Sequence, residues 1–137
     1  MASTYSTRLK AELIGSGEQA NSWGDTTNNN FTNIFDEAKI RKLFSQTDIC
    51  INLVGILYES GKGNSFKNIH SIFPSILAKL CKEYKVKQFI HLSALGINNA
   101  LDSEYAKSKL DGEFNIQKDF PLVTILRPSV VYSVDDN

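Results

Sequence analysis

Asp48, Ile49, Cys50, Ile51, Asn52, Leu53, Val54 and Gly55 stand together as DICINLVG, and the reading of this stretch decides the fold. Its apolar residues are nearly continuous rather than alternating, the run is short, and a glycine ends it. That pattern predicts a strand covered on both faces, as in a parallel sheet. Parallel strands are joined by long crossovers, commonly helical. The segments that follow should therefore be a helix and then another short apolar run.

They are. Beyond a loop carrying Gly61 and Gly63, Ile69, Ile72, Phe73, Ile76, Leu77, Leu80 and Cys81 recur at helical spacing up to Tyr84. Gln88 to Ser93 (QFIHLS) reads as a second strand. A loop and a helix from about Ser103 to Asp119 come next, then a third strand over Val123 to Arg127, which Pro128 stops. Strand, helix, strand, helix, strand with right-handed crossovers is half of a doubly wound α/β sheet.

Upstream the texture differs. Residues 1–38 are rich in Ser, Thr, Asn and Gly, with Gly15, Gly17 and Gly24 framing a polar stretch that ends in Thr26, Thr27, Asn28, Asn29 and Asn30. Phe31, Ile34, Phe35 and Ala38 have the spacing of an amphipathic helix that runs on through Ile40 and Leu43 to Phe44. The chain of 137 residues has a formal net charge of zero. That neutrality is a cancellation: residues 1–38 hold two basic and five acidic groups, residues 39–137 thirteen basic and ten acidic. The division predicts a polar N-terminal segment over 1–38 and a nucleotide-fold segment over 39–137.

The balance of charge lacks the basic excess that phosphate-backbone binding requires, which argues against a nucleic-acid partner. No apolar run approaches the ~20 residues of a membrane span, so a cytoplasmic location is expected. Cys50 and Cys81 lie in apolar surroundings without a CxxC pair and read as buried, reduced thiols. His70 and His91, without carboxylates or thiols at ligand spacing, read as structural residues, and no metal site is expected. Lys79, Lys82, Lys85 and Lys87 read as the solvated edge of a helix and its exit turn.

The chemistry concentrates in Tyr105, Ala106, Lys107, Ser108 and Lys109, a YxxxK spacing. Residues i and i+4 share a helix face, so phenol and ammonium can point into one cleft at the carboxyl ends of the strands. A nearby cation is expected to lower the tyrosine pKa and make it a usable acid or base. Tyr followed by Lys at this spacing also arises by chance on solvated helices. Ser93, closing the preceding strand, could meet a substrate oxygen.

The order strand-Ser, loop, YxxxK, strand-Arg-Pro resembles the extended and atypical short-chain dehydrogenase/reductases, also labelled NAD-dependent epimerase/dehydratase. The resemblance is closest to their complex I NAD(P)H-binding accessory-subunit branch. It rests on Asn52 to Glu59, His70, His91 to Gly96 (HLSALG), Glu104 to Lys109 (EYAKSK), Gly112 and Glu113, and Leu126 to Tyr132, and so covers about residues 39–137. It implies a Rossmann-like sheet, NAD or NADP as cofactor, and oxidoreductase or epimerase chemistry if the protein is active. Asn52, Leu53, Val54 and Gly55 would border the cofactor. Tyr105 would be the general acid/base, and Lys109 would hold the nicotinamide ribose and tune Tyr105. Pro128 and Val130 would flank the nicotinamide. Ser93 would supply a catalytic hydroxyl, although the family register also allows the next position, here Ala94. The accessory-subunit branch implies a respiratory complex I partner and peripheral placement at the inner membrane, and an intact YxxxK in that branch does not prove turnover.

Two departures limit what carries over. The family opens with a strand and a GxxGxxG turn whose amides and helix N-terminus hold the pyrophosphate. Gly15, Gly17 and Gly24 lie in polar sequence with no buried strand before them and do not match it, so cofactor binding should be lost or weakened. Ser133 and Val134 stand where the family has a Gly-Pro turn. The expected fold is thus a partial doubly wound parallel sheet lacking its first βαβ units. In the usual order the strand over 49–54 would pair with the missing first strand. Its apolar edge should be covered by the N-terminal segment, by another chain through self-association, or not at all, in which case the fold is marginal.

Residues 1–38 resemble something else. Tyr5, Ser6, Thr7, Leu9 and Leu13, then Gly15, Gly17, Glu18, Gln19, Ala20, Trp23, Gly24, Thr26, Thr27, Asn28 and Asn30, look like the opening of certain phage tail structural proteins. This leaves a second reading of the whole chain, a non-catalytic structural or interaction module made by fusion, beside a divergent polar extension of the nucleotide fold.

Overall fold

The structure, a computed structural model, describes residues 37–60 and 63–129. Its elements follow in the order α1 (Glu37–Phe44), β1 (Ile49–Asn52), a π-helical stretch (Lys67–Ile72) leading into α2 (Phe73–Glu83), β2 (Gln88–Leu92), α3 (Glu104–Asp119) and β3 (Thr124–Leu126). All strand pairs are parallel, in the order β1-β2-β3. The alternation of strand and helix expected from the sequence is therefore observed, as a partial Rossmann-like sheet.

One face of the sheet carries the core. Cys50 of β1 and Phe89 of β2 pack with Ile40 and Phe44 of α1, Phe73, Leu77, Leu80 and Cys81 of α2, and Ile116 of α3. Ile40 and Phe44 are one turn apart on α1, whose Glu37 and Arg41 complement the helix dipole. Removing a ring the size of Phe89 from water stabilises by about 2–3 kcal/mol. Cys50 and Cys81 are both buried free thiols.

The expectation of a strand covered on both faces is corrected. β1 alternates from exposed Ile49 through buried Cys50 and half-buried Ile51 to buried Asn52, and β2 repeats the alternation. Ile49, Ile51, Ile90, Leu92 and Leu126 line the opposite face, where Ile49 and Leu126 stay 38% and 47% exposed. The described helices all pack on the other side, so the apolar run reflects side-chain type rather than two-sided burial. β1 is the edge strand of the described sheet, as expected.

β1 also ends earlier than Gly55. Asn52 Oδ1 accepts the Val54 N–H at 3.1 Å. This side-chain turn carries the chain out of the sheet before the apolar run is over. The helix expected from residue 31 is seen from Glu37 onward, and Phe31, Ile34 and Phe35 lie outside the described residues.

The crossover helix has an irregularity at Pro74. Proline has no N–H to give the carbonyl four residues back, which is that of His70. The Phe73 N–H instead donates to Asn68 O, five residues back, and Lys67–Ile72 takes π-helical form. The freed region packs closely on α3: a Cβ on Gly112 would lie 1.8 Å from His70 O. Only glycine permits that approach. Ser103 caps α3, its hydroxyl accepting the Ala106 N–H.

Candidate functional site

The carboxyl ends of the strands, where ligands bind in open α/β sheets, gather a buried polar cluster. Asn52 ends β1, His91 and Ser93 close β2, His70 comes from the π-helical stretch, and Lys109 and Glu113 lie one turn apart on α3. All six are under a tenth exposed.

Each bond in the cluster assigns a proton. Asn52 Oδ1 is occupied by the Val54 amide, so Asn52 Nδ2 faces His91 and donates to Nδ1 at 3.0 Å. His91 is then the Nε2–H tautomer. The Ile56 N–H donates to His70 Nε2 at 3.0 Å, which puts the His70 hydrogen on Nδ1, 2.9 Å from Ser108 Oγ. Ser108 in turn donates to Tyr105 O at 2.7 Å. A relay of hydrogen bonds thus ties the loop after β1 to the helix turn that carries Tyr105. Burial, reinforced by the Lys109 charge, holds both imidazoles neutral, with His70 near pKa 3 and His91 near 4.

Tyr105 and Lys109 do share one face of α3. Lys109 Nζ stands 5.8 Å from the Tyr105 ring centroid and 3.4 Å from Leu92 O, to which it donates. The Tyr105 ring is held edge-on by Phe66 and His70, with centroids 5.8 and 5.2 Å away. The expected lowering of the tyrosine pKa is corrected. Burial raises Tyr105 above the ordinary phenol value, and burial also lowers Lys109, opposed by the charge of Glu113. At neutral pH Tyr105 is a protonated phenol and a hydrogen-bond donor.

Gly55 lies against this pair. A Cβ there would come within 3.2 Å of Lys109 Nζ and 3.7 Å of His70 Nε2. The glycine therefore places no Cβ against the ammonium. Leu53 is half exposed and Val54 packs against the core. Pro128 O accepts the Leu95 N–H at 2.9 Å, which joins the segments after β2 and β3. Val130 lies outside the described residues, as do Gly15, Gly17, Gly24 and Trp23.

Ser93 is only 4% exposed and shares the helix-facing side of β2 with Phe89 and His91. Its Oγ forms no hydrogen bond of ordinary geometry, yet it lies near enough to Glu113 to help hold that carboxyl ionised. Burial alone would raise Glu113. The hydrogen bond from Arg127, with Ser93 and the Arg127 charge, outweighs burial and keeps it below the usual carboxylate value. Arg127 grips it with both nitrogens, Nε to Oε1 at 2.9 Å and Nη2 to Oε2.

Sequence reasoning read His70 and His91 as structural and gave Glu113 and Arg127 no role. His70 and His91 do have partners that explain their burial. The signal for Glu113 was its position, one helical turn beyond Lys109.

No family model matches the chain. It is 32% identical over 101 residues to the mouse protein "NADH dehydrogenase [ubiquinone] 1 alpha subcomplex subunit 9, mitochondrial", a match covering 74% of this chain and 26% of that protein. The protein of the same name from Dictyostelium discoideum is 31% identical over 103 residues, 75% of this chain and 28% of the relative. The mitochondrial NADH-ubiquinone oxidoreductase 40 kDa subunit of Neurospora crassa is 29% identical over 97 residues, with shares of 71% and 26%. The chain thus spans about a quarter of the length of the curated relatives it matches. Among solved structures, the UDP-glucuronic acid 4-epimerase of Bacillus cereus in complex with NAD superposes with TM-score 0.53 at 27% identity, covering 67% of this chain and 35% of that one. The relatives are mitochondrial by name, and the cytoplasmic expectation gains no support from them. Among the described residues no helix is long and apolar enough to cross a membrane.

Proposed function

We propose that this chain, a segment of a short-chain dehydrogenase/reductase-like protein similar to the complex I accessory subunits, engages the nicotinamide half of a nicotinamide nucleotide, and does so weakly. The observation that carries the reading is Lys109. It is a buried ammonium at the carboxyl ends of three parallel strands, with Gly55 placing no Cβ against it.

Three features favour a ribose and its nicotinamide there. The ammonium donates to only one described acceptor, a distant carbonyl, and has donors left for hydroxyls. The Tyr105 phenol, protonated at neutral pH, adds a second donor on the same helix face. Asn52 to Gly55 and Pro128 border the same end of the sheet, with Val130 assigned there by family resemblance. Ser93, buried just past β2 with its hydroxyl unpartnered, is assigned the catalytic hydroxyl by family resemblance alone. When bound, a nicotinamide nucleotide would supply hydride chemistry. The part played by this chain's residues is to hold the ribose and present the Tyr105 proton.

Weak binding follows from the sequence, which shows no GxxGxxG turn to hold the pyrophosphate. The reading extends to NAD and NADP alike. Association with a respiratory NADH dehydrogenase complex is suggested by the relatives' names, peripheral placement at the inner membrane by the family resemblance, and both belong to the same proposal. On composition alone residues 1–38 are read as a piece apart from the nucleotide-fold segment, although Glu37 and Ala38 open α1.

Equilibrium titration with NADH and NADPH tests the proposal. Dissociation constants in the millimolar range that vanish in Lys109→Met support it. Sub-millimolar affinity overturns the weak-binding claim, and affinity unaffected by Lys109→Met overturns the site.

A further inference from the structure

A lysine buried to 5% exposure should shed its proton unless something compensates its charge. No carboxylate forms an ion pair with Lys109 among the described residues. The groups facing it are the Tyr105 ring on its own helix, His70 from the π-helical stretch and His91 from β2, all three neutral at pH 7. Among the described residues the remaining titratable group near it is Glu113, one turn further along the same face of α3, buried to 4% exposure. A carboxylate so deep is also unusual unless paired. Arg127, from the chain just past β3, pairs with it bidentately.

We propose that Glu113, fixed in place by Arg127, is the positioning residue that keeps Lys109 charged. The arrangement is a layered one. Arg127 reaches in from the rim, its side chain 41% exposed, and Glu113 sits inside it. Ser93 Oγ and the Nε2–H of His91 are both buried without a hydrogen-bond partner. At an i, i+4 spacing the two side chains stand ~5–6 Å apart at their Cβ atoms, but both Glu113 oxygens are engaged by Arg127, which leaves its action on Lys109 a through-space effect in a poorly solvated site. Glu113 thus tunes the ammonium without occupying its donors, which stay available to a ligand.

This inference rests on the nicotinamide-site reading for its purpose, but its test needs no nucleotide. The ionisation of Lys109 is followed by NMR, through its Cε resonance, in the wild-type chain, Glu113→Gln and Arg127→Gln. Glu113→Gln retains an oxygen for Arg127 and should lower the Lys109 midpoint by about one pH unit, a tenfold change. Arg127→Gln leaves the carboxylate less compensated and should not lower it. A merely structural Glu113–Arg127 anchor predicts equal loss of thermal stability in both variants and an unmoved Lys109 midpoint, which overturns the proposal. Should Glu113→Gln fail to fold, the wild-type titration decides. The Glu113 carboxyl resonance must show an inflection in the alkaline range where Lys109 loses its proton, well away from the titration of both histidines, and a flat trace there contradicts the coupling. Loss of NADH binding in the wild type would refute the nicotinamide reading while leaving this result standing.

Discussion

Two residues along each strand separate two environments. Cys50 and Phe89 sit side by side in the sheet among Ile116, Leu77 and Leu80. Their successors on the same face, Asn52 and His91, also paired, sit in a layer of amide, imidazole, ammonium and carboxylate. Both layers are equally buried. The apolar layer gains from every side chain it removes from water, whereas the polar layer must satisfy each group it removes. Cohesion therefore resides in the first layer, and the proposed site in the second, where Lys109 is held against Gly55.

The strongest way to break the contrast is to empty the apolar layer. Phe89→Ala should cost about 3–5 kcal/mol, as measured by chemical denaturation, and in a fold this small could abolish cooperative unfolding. Gly112→Ala attacks the join between the layers, because its methyl would collide with the His70 carbonyl. It should cost about 3 kcal/mol through backbone displacement, and it should also disturb Tyr105 through the His70–Ser108 relay.

Acid separates the layers without mutation. Unfolded histidines titrate near pH 6.5, while folded His70 and His91 stay neutral to about 3 and 4. Below pH 6.5 the unfolded chain therefore binds protons that the folded chain refuses, so stability should fall as pH drops from 6.5 towards 4. Thermal midpoints across that window test this, and His91→Gln, which can keep a bond to Asn52, should flatten part of the slope. The smallest effect is expected on the open side of the sheet. Leu126→Ser, at 47% exposure, should cost under ~1 kcal/mol, although its chemistry is as apolar as that of Phe89.

Much of this was legible before any coordinates. Short apolar runs at 49–54, 88–93 and 123–127, with helical periodicity between them, imply a parallel sheet because only long crossovers fit. Tyr105 and Lys109 were found by spacing. What escaped depends on facts that periodicity does not carry. Ile49 and Cys50 are both apolar, and only the packing shows that one is buried and the other half open. Pro74 was visible, but its consequence, a five-residue hydrogen bond from Phe73, depends on where the helix starts. The tyrosine pKa was misjudged because proximity of a cation was weighed without burial, which acts on both partners and here dominates. Glu113 was passed over because its role requires knowing that Lys109 is buried.

The central claim is that this chain engages the nicotinamide half of a nucleotide through Lys109, with no GxxGxxG turn in its sequence to hold the pyrophosphate. It is tested most directly by competition between reduced nicotinamide mononucleotide and 5′-AMP, followed by NMR on the Lys109 resonance. The account predicts that the mononucleotide shifts Lys109 at millimolar concentration, that AMP neither shifts it nor competes, and that Lys109→Met removes the binding. A response to AMP alone, or sub-millimolar binding of intact NADH, would contradict it.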